Sequence, residues 1–317
     1  MLHKESVERI IYYKGLGCTH RDIAARVGCS AGTVHYVLER NKKMIKPNGG
    51  PRILVFDIET APNLSYHWGL WQQNIGLGMM VRDWAVLSWS AKWVGEDEVM
   101  YDDVRHLFNG SADSLMQEVE DRPALESIWE LLNEADIVVT QNGKKFDVKK
   151  LNARFIMNGM QPPSSYKHID TLQIAKRHFA FTSNKLEFMT DKLCVKYKKL
   201  KHGKFPGMML WTECLKGNIE AWEEMEEYNK YDVLSLEELL FILAPWSNTL
   251  PNLDMYYADH DNHCLCGSTE FLDDGYAYTN VSKFVRLKCS SCGAEKRSKV
   301  NLVSKEKRKS LLMNVTG

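Results

Sequence analysis

Three groups of acidic residues, far apart in this 317-residue chain, have spacings that suit chemistry. The first is Asp57-Ile58-Glu59, at the end of the apolar run Ile53-Leu-Val-Phe. Residues two apart in a strand point to the same face, so Asp57 and Glu59 share one face and Leu54, Phe56 and Ile58 the other. Adjacent carboxylates repel and are costly to desolvate. A strand that projects both is accounted for if a cation lies between them; a solvent-facing strand end is the plainer alternative. The second group is Asn142-Gly-Lys-Lys-Phe146-Asp147, in which Gly143 permits a tight turn and Asp147 opens a helix. The helix dipole alone is enough to favour an acid there. The third, Tyr228-Asn-Lys-Tyr-Asp232, sets Tyr228 and Asp232 at i and i+4 on one helical face. The cysteines carry a second kind of chemistry. Cys289-Ser-Ser-Cys292-Gly293 is a metal knuckle, and Asn262-His263-Cys264-Leu265-Cys266-Gly267 supplies its partner. Spacing of i, i+3 selects His263 with Cys266; a four-cysteine site selects Cys264 with Cys266. One Zn²⁺ bound to such a set would hold together a segment too small for a core of its own.

The elements that must position these groups follow from hydrophobic patterning. Ile53–Glu59 reads as a strand, and Trp84–Val94 as its hairpin partner. Pro123–Glu134 is an amphipathic helix, Asp136–Thr140 a short buried strand, and Phe146–Met157 a helix. Further helices are expected at Thr171–Phe179, Lys185–Leu193 and Ile219–Leu243. Strands first, then alternation with helices, argue an α/β or α+β domain with a mixed sheet, and α/β is the class expected. Between the cysteine knuckles, Tyr276–Tyr278 and Phe284–Leu287 suit a β-hairpin. Trp68, Trp71, Trp84, Trp89 and Trp93 are expected in the core rather than on a base-stacking platform.

Taken together and in order, D-x-E, N-x-x-x-F-D and Y-x-x-x-D resemble the DEDD superfamily of 3′–5′ exonucleases, in its tyrosine-bearing subclass. The segments HIDTLQIAKRHFAFTSNKLEFMTDKL and LWTECLKGNIEAWEEMEEYNKYDVLSLEELL are similar to stand-alone, phage-type members. The resemblance covers about residues 53–245. It implies an RNase H-like fold, a mixed sheet flanked by helices. It also implies that Asp57, Glu59, Asp147 and Asp232 are ligands for two Mg²⁺ or Mn²⁺ ions, and that Tyr228 orients the attacking water. Asn142 and Phe146 match contacts to the substrate strand. Hard divalent ions prefer oxygen ligands, and a pair ~3.5–4 Å apart activates water and steadies the leaving oxygen of a phosphodiester. The implied activity is hydrolysis at the 3′ end of nucleic acid, with single-stranded DNA the favoured substrate. RNA trimming or structure-specific cutting is an alternative on the same fold. A DNA-binding regulator with a non-catalytic scaffold is an alternative of another class.

The formal net charge is zero, but it is unevenly spread. Residues 1–52 carry +6, residues 53–260 carry −10, and residues 261–317 carry +4. Basic ends suit a polyanion. In residues 1–45, Thr19-His-Arg-Asp22 has the form of a capping box, and helices at Arg21–Val27 and Ala31–Arg40 flank Gly28-Cys29-Ser30. This resembles the helix-turn-helix modules of bacterial and phage DNA-binding proteins; a small helical protein-docking domain is the alternative. The outward residues of the second helix, Thr33, His35, Tyr36 and Arg40, are the candidate DNA contacts. A basic linker at 46–52 leads to the exonuclease-like domain, 53–247. In that domain the run Lys196–Lys204, with Lys198, Lys199 and Lys201, suits a phosphate backbone, with a solvated loop the alternative. The segment 258–300 resembles a zinc ribbon. Its cations Lys283, Arg286, Lys288, Lys296, Arg297 and Lys299 suit nucleic acid, with protein docking the alternative. The basic tail, 301–317, is expected to fray around Ser304–Lys309. No run approaches the length of a membrane helix, and Met1-Leu-His-Lys-Glu5 is unlike a secretion signal, so the bacterial or phage-infected cytoplasm is the expected location. Any proofreading role implies a separate replication or repair partner, such as a polymerase.

Overall fold

A computed structural model describes residues 4–15, 18–40, 49–108, 116–200, 203–259 and 261–313. The chain divides into two compact units, Met1–Leu240 and Phe241–Gly317.

The first unit opens with helices α1 (Lys4–Gly15), α2 (His20–Val27) and α3 (Ala31–Arg40). Thr19 caps α2 by accepting from Asp22 N at 3.3 Å, and Ser30 Oγ accepts from Thr33 N at 3.0 Å. Gly28, at φ 75°, turns the chain between α2 and α3. Ile10, Ile23, Ala24, Val34, Val37 and Leu38 form a small core of their own, with Val27 only partly buried against it. The basic linker falls partly outside the described residues.

A five-stranded sheet follows, with β1 (Ile53–Thr60) at its centre, then β2 (Leu64–Ser65), β3 (Met80–Arg82), β4 (Val86–Trp93) and β5 (Met100–Asp103). Strands β6 (Ile137–Thr140) and β7 (Lys167–Asp170) complete it in the order β5-β4-β1-β6-β7, while β2 and β3 pair apart from it. β1 is antiparallel to β4 but parallel to β6, so the sheet is mixed. Helices α4 (Arg122–Glu134), α5 (Asp147–Met157), α6 (Thr171–His178), α7 (Leu186–Leu193), α8 (Met209–Leu215) and α9 (Ile219–Leu243) flank it. The alternation on β1 is as the pattern requires: Leu54, Phe56 and Ile58 are buried with Leu87, Trp89, Leu125 and Trp222, while Asp57 and Glu59 stay partly exposed. Buried Asp121 fastens three elements, accepting from Val86 N at 2.9 Å and pairing with Arg154 of α5 at 2.6 Å, just before α4.

The turn after β6 differs from expectation in its mechanism. Asn142, not Gly143, takes the left-handed conformation, at φ 66°. Gly143 is needed for space: a Cβ there would lie 2.2 Å from Thr140 Oγ1. Thr140 is buried and bonds His168 Nε2 at 2.8 Å, so it has little freedom to yield. Gly143→Ala is expected to cost about 1–3 kcal/mol by overpacking, read from the urea midpoint; an unchanged midpoint would show that Thr140 can move aside.

The second unit holds an antiparallel sheet, β8 (Phe271–Thr279), β9 (Ser282–Cys289) and β10 (Glu295–Arg297), in the order β10-β9-β8. The expected hairpin is present, with a third strand added. The tail carries a helical turn where fraying is expected. Ser304 Oγ accepts from Lys307 N at 3.1 Å and starts a short helix, α10 (Lys305–Lys309), whose last-turn cations suit the dipole. The tryptophans also divide. Trp89 and Trp93 are buried and Trp84 is partly so, but Trp68 and Trp71 stand in water on the loop between β2 and β3. Among the described residues nothing buries that loop's apolar side chains: Leu70 and Leu77 are exposed with the two tryptophans.

Candidate active site and metal centre

β1 delivers Asp57 and Glu59 from the middle of the sheet, and the long α9 delivers Tyr228 and Asp232 from one face. Carboxylate oxygens of Asp57, Glu59 and Asp232 come within 4.8 Å of one another. Asp147, at the first turn of α5, is buried beside them but stands outside that group; its Oδ1 accepts from Ile58 N of β1 at 3.2 Å. Crowding has an electrostatic signature. Burial, then Asp147, Asp232 and Glu59, push the Asp57 carboxyl well above the usual range. Burial and the Asp232 charge push Glu59 up to about 8. Burial raises Asp147 to about 7, even against the bonds it receives from backbone N–H groups. A cation bound among these carboxyls would lower the cost of ionising them together.

Tyr228 sits one turn from Asp232, with burial and the charges of Asp232 and Glu59 holding its phenol up and therefore neutral near pH 7. Lys199 joins this cluster. Its ammonium pairs with Asp232 Oδ2 and lies 4.3 Å from the Tyr228 ring centroid. Burial opposes that charge, but Asp232, Tyr228 and Asp57 outweigh it and hold the ammonium protonated. The sequence suggests Lys198 and Lys199 as backbone contacts. The structure places Lys199 among the acids and Lys198 3.4 Å from Asp191, while Lys201 lies outside the described residues.

Three residues given no role in the sequence reading support the acids. Asn229 Nδ2 donates to Asp57 Oδ2 at 2.8 Å, and Ser88 Oγ donates to Asn229 Oδ1 at 3.2 Å. A signal existed: Asn229, Asp232 and Ser235 interrupt the apolar face of α9 with buried polar groups. Trp211 Nε1 donates to Glu59 Oε2 at 3.0 Å, and its ring meets Tyr228 edge-on at 6.3 Å. It comes from 152 residues away on α8, and nothing local marks it. Asp170 acts as an anchor. It caps α6 and accepts from Asn142 N at 3.0 Å, holding the turn that leads to Asp147. Phe146 is 38% exposed and lines, with Glu59, Trp84, Lys150 and Trp211, an open cavity of about 480 Å³. Asn142 is partly buried and does not line it.

In the first three helices, Thr33 is partly buried and its hydroxyl lies 2.8 Å from Ser30 Oγ, within the cap of α3. His35 is exposed, and its ring lies 6.0 Å from that of His20. The side chains of Tyr36 and Arg40 lie outside those described.

In the second unit, ligand atoms of Cys264, Cys266, Cys289 and Cys292 lie within 4.8 Å of one another. His263 is not in this group; its ring stacks on Tyr257 at 3.4 Å. The knuckles differ in length yet close alike. Gly267 N donates to Cys264 O at 3.0 Å, Gly293 N donates to Cys289 O at 3.0 Å, and both glycines have positive φ. Cys264 Sγ–Cys292 Sγ at 3.4 Å and Cys266 Sγ–Cys289 Sγ at 3.6 Å are far beyond a disulfide's ~2.05 Å. They are near the ~3.8 Å edge of a tetrahedron with metal–sulfur bonds of ~2.3 Å. Burial raises the Cys289 thiol, but backbone N–H groups of Cys292 and Ser291 and the Cys266 thiol outweigh it, leaving it at about 6 and so ready to be a thiolate.

Residues 101–244 match the model of the RNase H superfamily, a span that includes Asp147, Tyr228 and Asp232 and begins after Asp57 and Glu59. No curated protein matches the chain. Among solved structures, the chain is similar to the family B DNA polymerase of the hyperthermophilic archaeon Pyrobaculum calidifontis, at 15% identity and a TM-score of 0.42. That likeness covers 62% of this chain and only 25% of the polymerase. No helix among the described residues is long and apolar enough to cross a membrane. With its central mixed sheet, flanking helices and matched superfamily span, the domain around the acidic cluster has an RNase H-like fold.

Proposed function

We propose that the protein is a metal-dependent nuclease that removes nucleotides from the 3′ end of nucleic acid, with single-stranded DNA the favoured substrate. The observation that carries this is the convergence of Asp57, Glu59 and Asp232 within 4.8 Å, partly open to solvent, with Asp147 adjoining. The donor set is all oxygen, and the carboxyls resist joint ionisation, so the residues fit hard divalent ions such as Mg²⁺ or Mn²⁺. Two such ions, held by Asp57, Glu59, Asp147 and Asp232, would supply the positive charge that activates water and stabilises the leaving 3′ oxygen. Asn229 and Trp211 orient the Asp57 and Glu59 carboxylates by hydrogen bonds. Tyr228, neutral near pH 7, serves as a hydrogen-bonding guide for water rather than as a base. Lys199 adds a positive charge beside Asp232, suited to a scissile phosphate.

The four cysteines fit one Zn²⁺, which would tie β8–β10 together. The first three helices fit a helix-turn-helix that tethers the enzyme to DNA.

The test uses 5′-labelled DNA and RNA single strands of matched sequence with Mg²⁺ or Mn²⁺, with EDTA, and with the Asp57→Ala/Asp232→Ala double variant. A ladder that shrinks from the 3′ end only with metal and only in the parent protein is expected, and the DNA/RNA ratio names the substrate. No metal-dependent degradation, with tight sequence-selective duplex binding in a gel shift, would favour a DNA-binding regulator instead.

A further inference from the structure

The loop between β2 and β3 carries an apolar surface that the site does not use. Trp68 is 98% exposed, Trp71 85%, Leu70 83% and Leu77 93%, with Tyr66 beside them. Large aromatic side chains left in water as a group are uncommon and mark a binding surface. The stem of this loop is fixed. Leu64 and Ser65 pair with Arg82 and Met80, Tyr66 N donates to Met79 O at 2.9 Å, and buried Arg82 donates to Pro62 O at 3.3 Å. Asn63 Oδ1 accepts from Trp84 N at 2.9 Å and closes the base. Pro62, Asn63 and Trp84 also line the cavity that opens on Glu59, so the stem is a wall of the acidic site.

Charge decides between occupants. No Asp or Glu occurs between Glu59 and Asp83, in a segment whose residues 53–260 carry −10 overall. From Tyr66 to Met80 there is no Lys or Arg either. A polyanion reaching Glu59 is therefore not repelled along this stretch, and it meets flat π faces with the amides of Gln72, Gln73 and Asn74 among them. Bases stack on such faces with little regard to sequence. We propose that Trp68 and Trp71 form a stacking platform for the single strand whose 3′ end lies at Asp57 and Glu59. The platform rests on the nuclease reading above and deepens it by naming the side chains that hold the strand behind its 3′ end.

The experiment compares the full chain with its Trp68→Ala/Trp71→Ala variant on two substrates, a twelve-residue oligothymidylate and the p-nitrophenyl ester of thymidine 5′-phosphate. The ester is too short to reach beyond the acids. The KM for the oligonucleotide is expected to rise about 10-fold or more relative to that for the ester, and Trp→Phe replacements restore much of it. Fluorescence anisotropy of the labelled oligonucleotide, in an Asp57→Asn background that stops cleavage, should show the same loss of affinity. Equal affinity and an unchanged KM ratio would overturn the platform, and leave the loop to a protein partner. If the parent protein hydrolyses neither substrate, the nuclease reading fails, and the anisotropy difference alone still decides whether the tryptophans hold a strand.

Discussion

Asp57→Asn is expected to remove metal-dependent hydrolysis by about 10³-fold or more and, in the same protein, to raise the stability of the metal-free fold. The two effects have one cause. In the metal-free protein Asp57 is held next to Glu59, Asp147 and Asp232, and each raises its cost of ionisation. An amide keeps the shape and can still meet Asn229 by turning, but it removes a repelling charge. A rise of a few degrees in melting temperature is expected in EDTA. Activity falls because an amide oxygen is a poor partner for a hard dication, and several kcal/mol of charge stabilisation disappear with it. The pH dependence carries the same sign. Glu59 has a folded value of about 8, against an unfolded value near 4.3. Between those values the folded state holds more protons than the unfolded one, so metal-free stability falls as pH rises from about 4 to 8. Mg²⁺ or Mn²⁺ should flatten that slope. Melting curves at pH 5.5 and 8, with EDTA and with metal, check both claims; stability that climbs with pH in EDTA would contradict the crowding argument.

Stripping the cysteine cluster is the other large effect. The strands around it bury little: in β8 no residue is fully buried, and in β9 only Phe284 and Cys289 are. Without an apolar core, the segment depends on what ties its knuckles. Structural zinc supplies roughly 10–16 kcal/mol of apparent binding free energy at neutral pH, which is folding free energy in a segment like this. A zinc-selective chelator, or Cys289→Ser, should release about one equivalent of metal and bring amide exchange in β8 to β10 close to the unstructured limit. Cobalt in place of zinc should give the absorption of a tetrahedral four-thiolate site, which separates Cys264 from His263 as the fourth ligand. Protein that contains no bound metal and keeps slow exchange would refute the zinc reading.

Much of this was legible because it is local. Strand β1, its buried and acidic faces, α9 from Ile219 to Leu243 and the caps of α2 and α3 all follow from period, β-branching and cap chemistry within a dozen residues. The acids are grouped by topology, so their convergence was legible only through the order of the motifs. What escaped is non-local or depends on space. Trp211 reaches Glu59 across 152 residues, and Gly143 is required by a threonine three residues earlier rather than by its own dihedrals. Lys199 belongs to a lysine run that looks like a solvated strip, yet burial beside Asp232 singles it out. The exposed Trp68 and Trp71 escaped because composition says what a side chain prefers, not whether the fold brings anything to cover it.

The link from Ser88 through Asn229 to Asp57 bears on any attempt to move this chemistry to another scaffold. Ser88 lies on the neighbouring strand, fully buried, and Asn229 on the long helix, fully buried as well. A graft that copies only the carboxylates and the tyrosine would leave Asp57 free to choose among rotamers. The transplantable unit is thus two adjacent strands, one helix face across them and the first turn of α5 that brings Asp147 to Ile58, and a host whose long helix is set at another height above its sheet would hold the acids without aiming them.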